Sequence, residues 1–156
     1  MKMVVLCGAS GIGKSTYCEE RKTKLGADRV LVVSADQYMV DAEGNYRFSG
    51  QRLGECHSAC FRDTIEALDM LEHHELLVDN TNTRAWEISP YIQLANSYEA
   101  EVEVVAFVLR RLNAAELARR NAHGVPLWTI LSQNNRLEDL LKNWPFRAIK
   151  PTIIGV

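Results

Sequence analysis

Gly8-Ala9-Ser10-Gly11-Ile12-Gly13-Lys14-Ser15-Thr16 satisfies every fixed position of the pattern G-x-x-x-x-G-K-[ST], and the rest of the chain falls into place around it. Before it runs Met3-Val4-Val5-Leu6-Cys7, apolar and short, as a buried parallel strand should be. After it comes a helix-like stretch from Lys14 to Leu25, with Gly26 placed as a C-terminal stop. Glycines let the backbone curl tightly, so successive N–H groups from Gly8 to Gly13 can converge on a phosphate. The helix that follows adds unpaired donors and the positive end of its dipole. In such a loop Lys14 bridges the β- and γ-phosphates of a nucleotide, and Ser15, with Thr16 beside it, offers a hydroxyl to Mg²⁺. A Gly-rich turn matching the pattern by chance would lack this strand-before, helix-after setting.

The chain has 156 residues, 47% apolar and 24% charged, which suits one globular domain spanning 1–156. It has no run of about 18 apolar residues and no charged-then-apolar leader, so we expect no membrane span and a cytoplasmic protein. The net charge of −2 excludes a protein that coats long stretches of nucleic acid, because that affinity comes from neutralising phosphates. A local basic cluster could still grip a chain end or one nucleotide. The cysteines, Cys7, Cys18, Cys56 and Cys60, form no C-x-x-C pair and read as reduced, partly buried thiols. A metal site from Cys56, His57 and Cys60 is the less favoured alternative.

Further along, Arg29-Val30-Leu31-Val32-Val33-Ser34 is a β-branched run that delivers Asp36 to the C-terminal edge of a sheet, where open α/β folds place ligands. The polar stretch from Val40 to Gly50 carries Tyr46 and Phe48, which either stack on a base or staple the loop to the core. Arg52 to His74 predicts a long helix with Leu53, Cys60, Thr64, Leu68 and Leu71 on its apolar stripe. His57 falls in that stripe and reads first as a core histidine. Asp63, Glu66, Asp69 and Glu72 form a solvated outer face. Glu20 and Lys24 are spaced to pair on the first helix.

Glu75-Leu76-Leu77-Val78-Asp79 is a third strand ending in a carboxylate, the arrangement that orients Mg²⁺ or its water shell. Asn80-Thr81-Asn82-Thr83 then reads as a turn with Thr83 capping the next helix, which is either continuous or broken at Ser89-Pro90. Glu101 to Val108 is the fourth strand. Arg110, Arg111, Arg119 and Arg120 follow within eleven positions, with His123 close by. This is the chain's one basic concentration, suited to bidentate phosphate contact or to charge stabilisation in phosphoryl transfer. Asn113 to Glu116 resembles a capping box, and Pro126 suits the start of a helix whose apolar face is Leu127, Ile130, Leu131, Leu137, Leu140 and Leu141. Pro151 to Val156 is a fifth strand. Strands alternating with helices imply an α/β fold with a parallel sheet of about five strands, helices on both faces and right-handed crossovers.

Taken in order, Gly8 to Thr16, Ser34-Ala35-Asp36-Gln37-Tyr38, Asp79-Asn80-Thr81-Asn82, Glu116 to Asn121 and Gly124-Val125-Pro126 resemble the P-loop kinase domain of phage-type polynucleotide 5′-kinases and their relatives. The resemblance runs from Met3 to about Leu141. It implies ATP-dependent transfer of a γ-phosphoryl group to a hydroxyl, with a nucleic-acid 5′-end as acceptor. It also implies that Asp36 accepts the hydroxyl proton, and that Arg120 or Arg119, in a lid at about 111–126, stabilises the transferring group. Polynucleotide kinases can carry an arginine where this chain has Met39, and the lid here lacks a further arginine, so His123 or Arg120 takes that place or the acceptor differs. A hydroxymethyl group on a modified DNA base and a small-molecule hydroxyl are the alternative acceptors. A non-catalytic ATP-binding switch is the alternative class, disfavoured by the coexistence of Lys14, Ser15, Asp36 and Asp79.

Overall fold

A computed structural model describes residues 1–70, 74–110, 113–121 and 123–156. Continuous apolar runs become buried strands. Lys2–Cys7 (β1) buries every residue after Lys2, and Glu75–Asp79 (β3) buries all but its last. Such strands need cover on both faces, and parallel pairing with helical crossovers supplies it. With Val30–Val33 (β2), Glu101–Val108 (β4) and Thr152–Gly155 (β5), they form a five-stranded parallel sheet ordered β2-β3-β1-β4-β5 among the described residues.

Two apolar clusters sandwich this sheet. On one face Leu53–Met70 (α2), Ala85–Ser97 (α3) and part of Leu127–Lys142 (α5) pack on Met3, Val5, Leu76, Val78 and Val104. On the other, Lys14–Leu25 (α1) and Ala114–Arg120 (α4) pack on Val4, Leu6, Leu77 and Val105 through Cys18, Leu117 and the α5 residue Ile130. The bottom edge of the sheet is tied by charge. Lys2 pairs with Glu103 at 2.6 Å, and the largely buried Glu75 takes a two-pronged contact from Arg21 on α1.

The α1 boundaries match the sequence reading: Gly26 ends it, donating its N–H to the Lys22 carbonyl. Several expectations are corrected. α2 is described only to Met70, and His74 instead continues into the sheet edge, its carbonyl accepting from Lys2 N. Leu71 and Glu72 lie outside the described residues. Leu53, Leu127 and Leu131 are exposed; of the expected α5 face Ile130 and Leu137 are buried and Leu140 and Leu141 pack against the core, and Gln133 and Asn134 join that inner face. α3 is one helix with Pro90 inside it. Trp86, whose carbonyl would lose its partner four residues on, is exposed, so water can serve that group. Two residues of the acidic α2 face hold tyrosines: Asp63 accepts from Tyr38 and Asp69 from Tyr98. On α1 the ion pair is Lys22–Glu19 rather than Glu20–Lys24. All four cysteines are buried and unbridged, and no group of three His, Cys, Asp or Glu side chains among the described residues could hold a metal. No helix among them is long and apolar enough to cross a membrane.

Candidate active site

The phosphate loop leaves β1 at the centre of the sheet, and its neighbours stitch it in place. Gly8 N donates to the Thr81 carbonyl at 2.8 Å, and Asn82 Nδ2 to the Leu6 carbonyl at 2.9 Å. Gln133 of α5 accepts from Ser10 N at 2.9 Å. Gly13 caps α1 with φ of 108°, a left-handed conformation that side-chain-bearing residues resist. Gly11 is needed for a second reason: a Cβ there would lie 2.9 Å from the Leu117 carbonyl of α4. The loop and α4 are therefore seated directly on one another.

Lys14 is buried, and its Nζ donates to the Gly8 and Ala9 carbonyls at 3.1 Å each. Burial pushes its pKa down, while the Asp79 and Asp36 carboxylates pull it back up. Parallel pairing places Leu6 opposite Asp79, so the end of β3 lies beside the start of the loop. Ser15 Oγ accordingly donates to Asp79 Oδ2 at 2.8 Å. A hydroxyl and a carboxylate side by side are the oxygen donors a hard cation prefers. Mg²⁺ commonly takes only one or two protein carboxylates and completes its shell with phosphates and water, so this pair fits it.

Asp36 sits at the same edge, on a 3-10 turn spanning Ala35–Tyr38 that follows β2. Two interactions fix that turn. Ser34 Oγ accepts from Asp36 N at 3.3 Å, and the buried Asn80 accepts from Ala35 N at 2.9 Å. Asn80 in turn donates to Cys60 Sγ and Tyr91 Oη, which anchors the turn to α2 and α3. The Asp36 side chain itself is 53% exposed. Tyr46 Oη donates to its Oδ1 at 3.3 Å, and His123 Nε2, from the segment after α4, lies 3.8 Å from its Oδ2. The Tyr46 and His123 rings pack at 4.0 Å between centroids. Burial and the nearby Asp36 charge push the Tyr46 phenol up to about 12, so it stays a proton donor at neutral pH.

Of the basic cluster, Arg119 and Arg120 are exposed and both pair with Glu116 on their own helix, at 2.7 and 2.8 Å. Arg110 packs against Gly155 beyond β4, and Arg111 lies outside the described residues. Among the described residues of this segment, His123 lies beside Asp36. Other readings are also revised. His57 is exposed rather than in the core. Met39, where related kinases can carry an arginine, is a fully packed core residue. Thr83 does not cap α3: the Glu87 side chain accepts from Thr83 N and Arg84 N, while Thr83 Oγ1 accepts from Arg136. Tyr46 packs against the core and contacts Asp36, whereas Phe48 is 64% exposed. Gln133 organises the site without any local sequence signal, whereas the turn-rich Asn80-Thr81-Asn82 cluster hinted at Asn80 and Asn82.

The chain belongs to the AAA_33 family, described as an AAA domain, whose model matches residues 3–140. It is 32% identical over 129 residues to NEDD4-binding protein 2 of Homo sapiens, covering 79% of this chain but only 7% of that protein. Among solved structures, a chain of the Pnkp1/Rnl/Hen1 RNA repair complex superposes with a TM-score of 0.69 at 18% identity, over 93% of this chain and 46% of that one. The Mycobacterium tuberculosis APS kinase CysC in complex with AMPPNP and APS matches with a TM-score of 0.52 at 19% identity, over 79% of this chain and 69% of that one. The fold is the P-loop kinase-like α/β fold, as the sequence resemblance implied.

Proposed function

We propose that this chain is an ATP-dependent phosphotransferase that moves the γ-phosphoryl group to a nucleic-acid hydroxyl, the 5′-hydroxyl of a polynucleotide first among them. The observation that carries the reading is the half-exposed Asp36 carboxylate, held on a pinned turn at the same sheet edge as Lys14, Ser15 and Asp79. A domain that only bound nucleotide would have no use for a positioned base there.

In this mechanism the loop amides from Gly8 to Thr16 and the Lys14 ammonium hold the phosphates, Lys14 exchanging its two carbonyl partners for phosphate oxygens. Ser15 and Asp79 would hold Mg²⁺, which neutralises charge on the phosphates when bound. Asp36 orients the acceptor hydroxyl and takes its proton as the oxygen–phosphorus bond forms and the bond to the leaving ADP breaks. Tyr46 donates to Oδ1, which leaves Oδ2 as the oxygen for that proton. Arg120 or Arg119 leaves Glu116 to meet the transferring group, and His123 brings the lid down over Asp36.

The test is transfer of labelled γ-phosphate from ATP to three DNAs: a 5′-hydroxyl oligonucleotide, the same strand with its end blocked, and a blocked strand carrying hydroxymethyl bases. Label on the first alone is expected. Label on the third but not the second moves the acceptor to a modified base. Label on none, with ATP bound, overturns the nucleic-acid reading.

A further inference from the structure

Two amides of the phosphate loop are already spent inside the protein. Gly8 N donates to the Thr81 carbonyl at 2.8 Å, and Ser10 N to Gln133 Oε1 at 2.9 Å. At the other end, Tyr17 N is the first helical amide to find a partner, the Gly13 carbonyl. The N–H groups of Lys14, Ser15 and Thr16 open α1 without one. The two halves of the loop therefore differ. The half next to α1 offers main-chain donors, and the half next to β1 has to rely on side chains.

One of those side chains is Lys14, on the Gly8 and Ala9 carbonyls. The other is Gln133, in the second turn of α5. The Ala9 carbonyl and the Ser10 N–H belong to one peptide unit, so Lys14 and Gln133 hold its two edges. A phosphoryl group seated over that peptide can be met by both. Gln133 is only 9% exposed, and its orientation is dictated by chemistry: the Ser10 N–H requires the carboxamide oxygen to face it, which turns the NH₂ end away. Among the described residues Nε2 donates to nothing. Nor is it sealed in, since no buried side-chain nitrogen or oxygen among them lacks a partner. A nine-tenths buried glutamine thus presents an unused donor beside the loop. Accepting from Ser10 polarises the carboxamide and makes that NH₂ a better donor. Arg119 and Arg120 must first leave Glu116, whereas Gln133 is already at the loop.

We propose that Gln133 contacts the γ-phosphoryl group: Oε1 stays on Ser10 N, and Nε2 donates to a γ-phosphate oxygen while Lys14 meets another. The inference deepens the reading above and rests on it for the nucleotide. Gln133 takes no proton and gives none. It supplies a fixed, uncharged donor whose bond strengthens as charge shifts on the phosphoryl oxygens.

The test begins without any acceptor. Calorimetry with Mg²⁺ compares ADP and a non-hydrolysable ATP analogue on wild type, Gln133→Glu and Gln133→Met. Gln133→Glu keeps an oxygen for Ser10 N and loses the donor; Gln133→Met keeps the bulk and loses both. Wild type is expected to prefer the analogue. In Gln133→Glu the analogue weakens about tenfold or more while ADP stays within about twofold. In Gln133→Met both weaken as the loop loosens, the analogue by about tenfold more. A preference for the analogue that survives in either variant overturns the proposal: surviving in both, it leaves Gln133 a strut for Ser10; surviving in Gln133→Met alone, it marks mere repulsion by the new carboxylate. Equal binding of analogue and ADP by wild type also overturns it. Transfer to a 5′-hydroxyl oligonucleotide is the second readout. Gln133→Glu should lower kcat by about 10²- to 10³-fold and leave the oligonucleotide KM alone; an unchanged kcat overturns the contact. A preference lost in both variants, with no oligonucleotide labelled even by wild type, keeps the γ-phosphate contact and overturns the nucleic-acid reading. Labelling by wild type with the preference intact in the variants does the reverse.

Discussion

The phosphate loop and the Asp36 edge share one rim of the sheet but are built by different means. The loop is made of main-chain amides, closed by glycine conformations and buttressed by the buried side chains of Asn82 and Gln133. The Asp36 edge is made of individual side chains: Asp36 on a short turn, Tyr46 in a loop and His123 beyond α4. Most of these are exposed or half-exposed, and they touch one another across long stretches of chain. A binding site made of backbone is generic and rigid, because any nucleotide presents the same phosphates. A site made of scattered side chains can be re-specified one residue at a time.

If the two regions are separable, breaking one should spare the other. The largest effect is expected from Asp36→Ala, which lowers transfer by about 10²- to 10⁴-fold while calorimetry still finds ATP bound. Loss of ATP binding in that variant would mean the two regions are not independent. Next come Arg120→Ala and Arg119→Ala. Whichever arginine leaves Glu116 to serve the transferring group should cost about 10³-fold in turnover, and the other little, which single-turnover rates separate. Equal and small losses would leave the lid work to His123.

The smallest effect lies in the pH dependence of stability, and the two regions carry opposite signs. Lys14 is held below its ordinary pKa by burial, so between that lowered value and its ordinary range the unfolded chain binds more protons, and stability rises with pH. Tyr46, pushed up to about 12 by burial and Asp36, and Tyr38, pushed up to about 12 chiefly by its bond to Asp63, behave in reverse. Their contribution is complete below about pH 10, the unfolded phenol value, and fades as pH climbs toward the folded value. Denaturant melts of Lys14→Ala should lack the rise, and those of Tyr46→Phe with Tyr38→Phe should lack the fall. Parallel curves for wild type and variants would remove both assignments.

The same contrast explains what could be read without a structure. The loop, α1 with its Gly26 stop, the Asp79 strand end and the parallel five-stranded sheet were all legible, because each rests on a local pattern: fixed glycine spacing, apolar runs, a carboxylate at a strand terminus. The Asp36 edge was legible as Asp36 beyond β2, with Tyr46 and His123 named as candidates but not placed. That His123 would meet Asp36 and Tyr46, that Asn80 would hold the Ala35 amide, or that Gln133 would cap Ser10 depends on which strands lie side by side. No local window contains that information. The stripe positions that failed, Leu53, Leu127 and Leu131, lie in the first turn or two of their helices, where periodicity alone cannot tell a core from a rim. His57 failed for the same reason and emerged on a cavity wall instead.

Gly11 has a mechanical meaning beyond its place in the loop. The Leu117 carbonyl of α4 would lie 2.9 Å from a Cβ on residue 11. The spacing between the loop and α4 is therefore set by one absent methyl group. A substitution there would act as a shim, tilting α4 and the His123 beyond it while Lys14, Ser15, Asp36 and Asp79 stayed chemically intact. The approach of His123 to Asp36 can thus be adjusted from a position that touches neither.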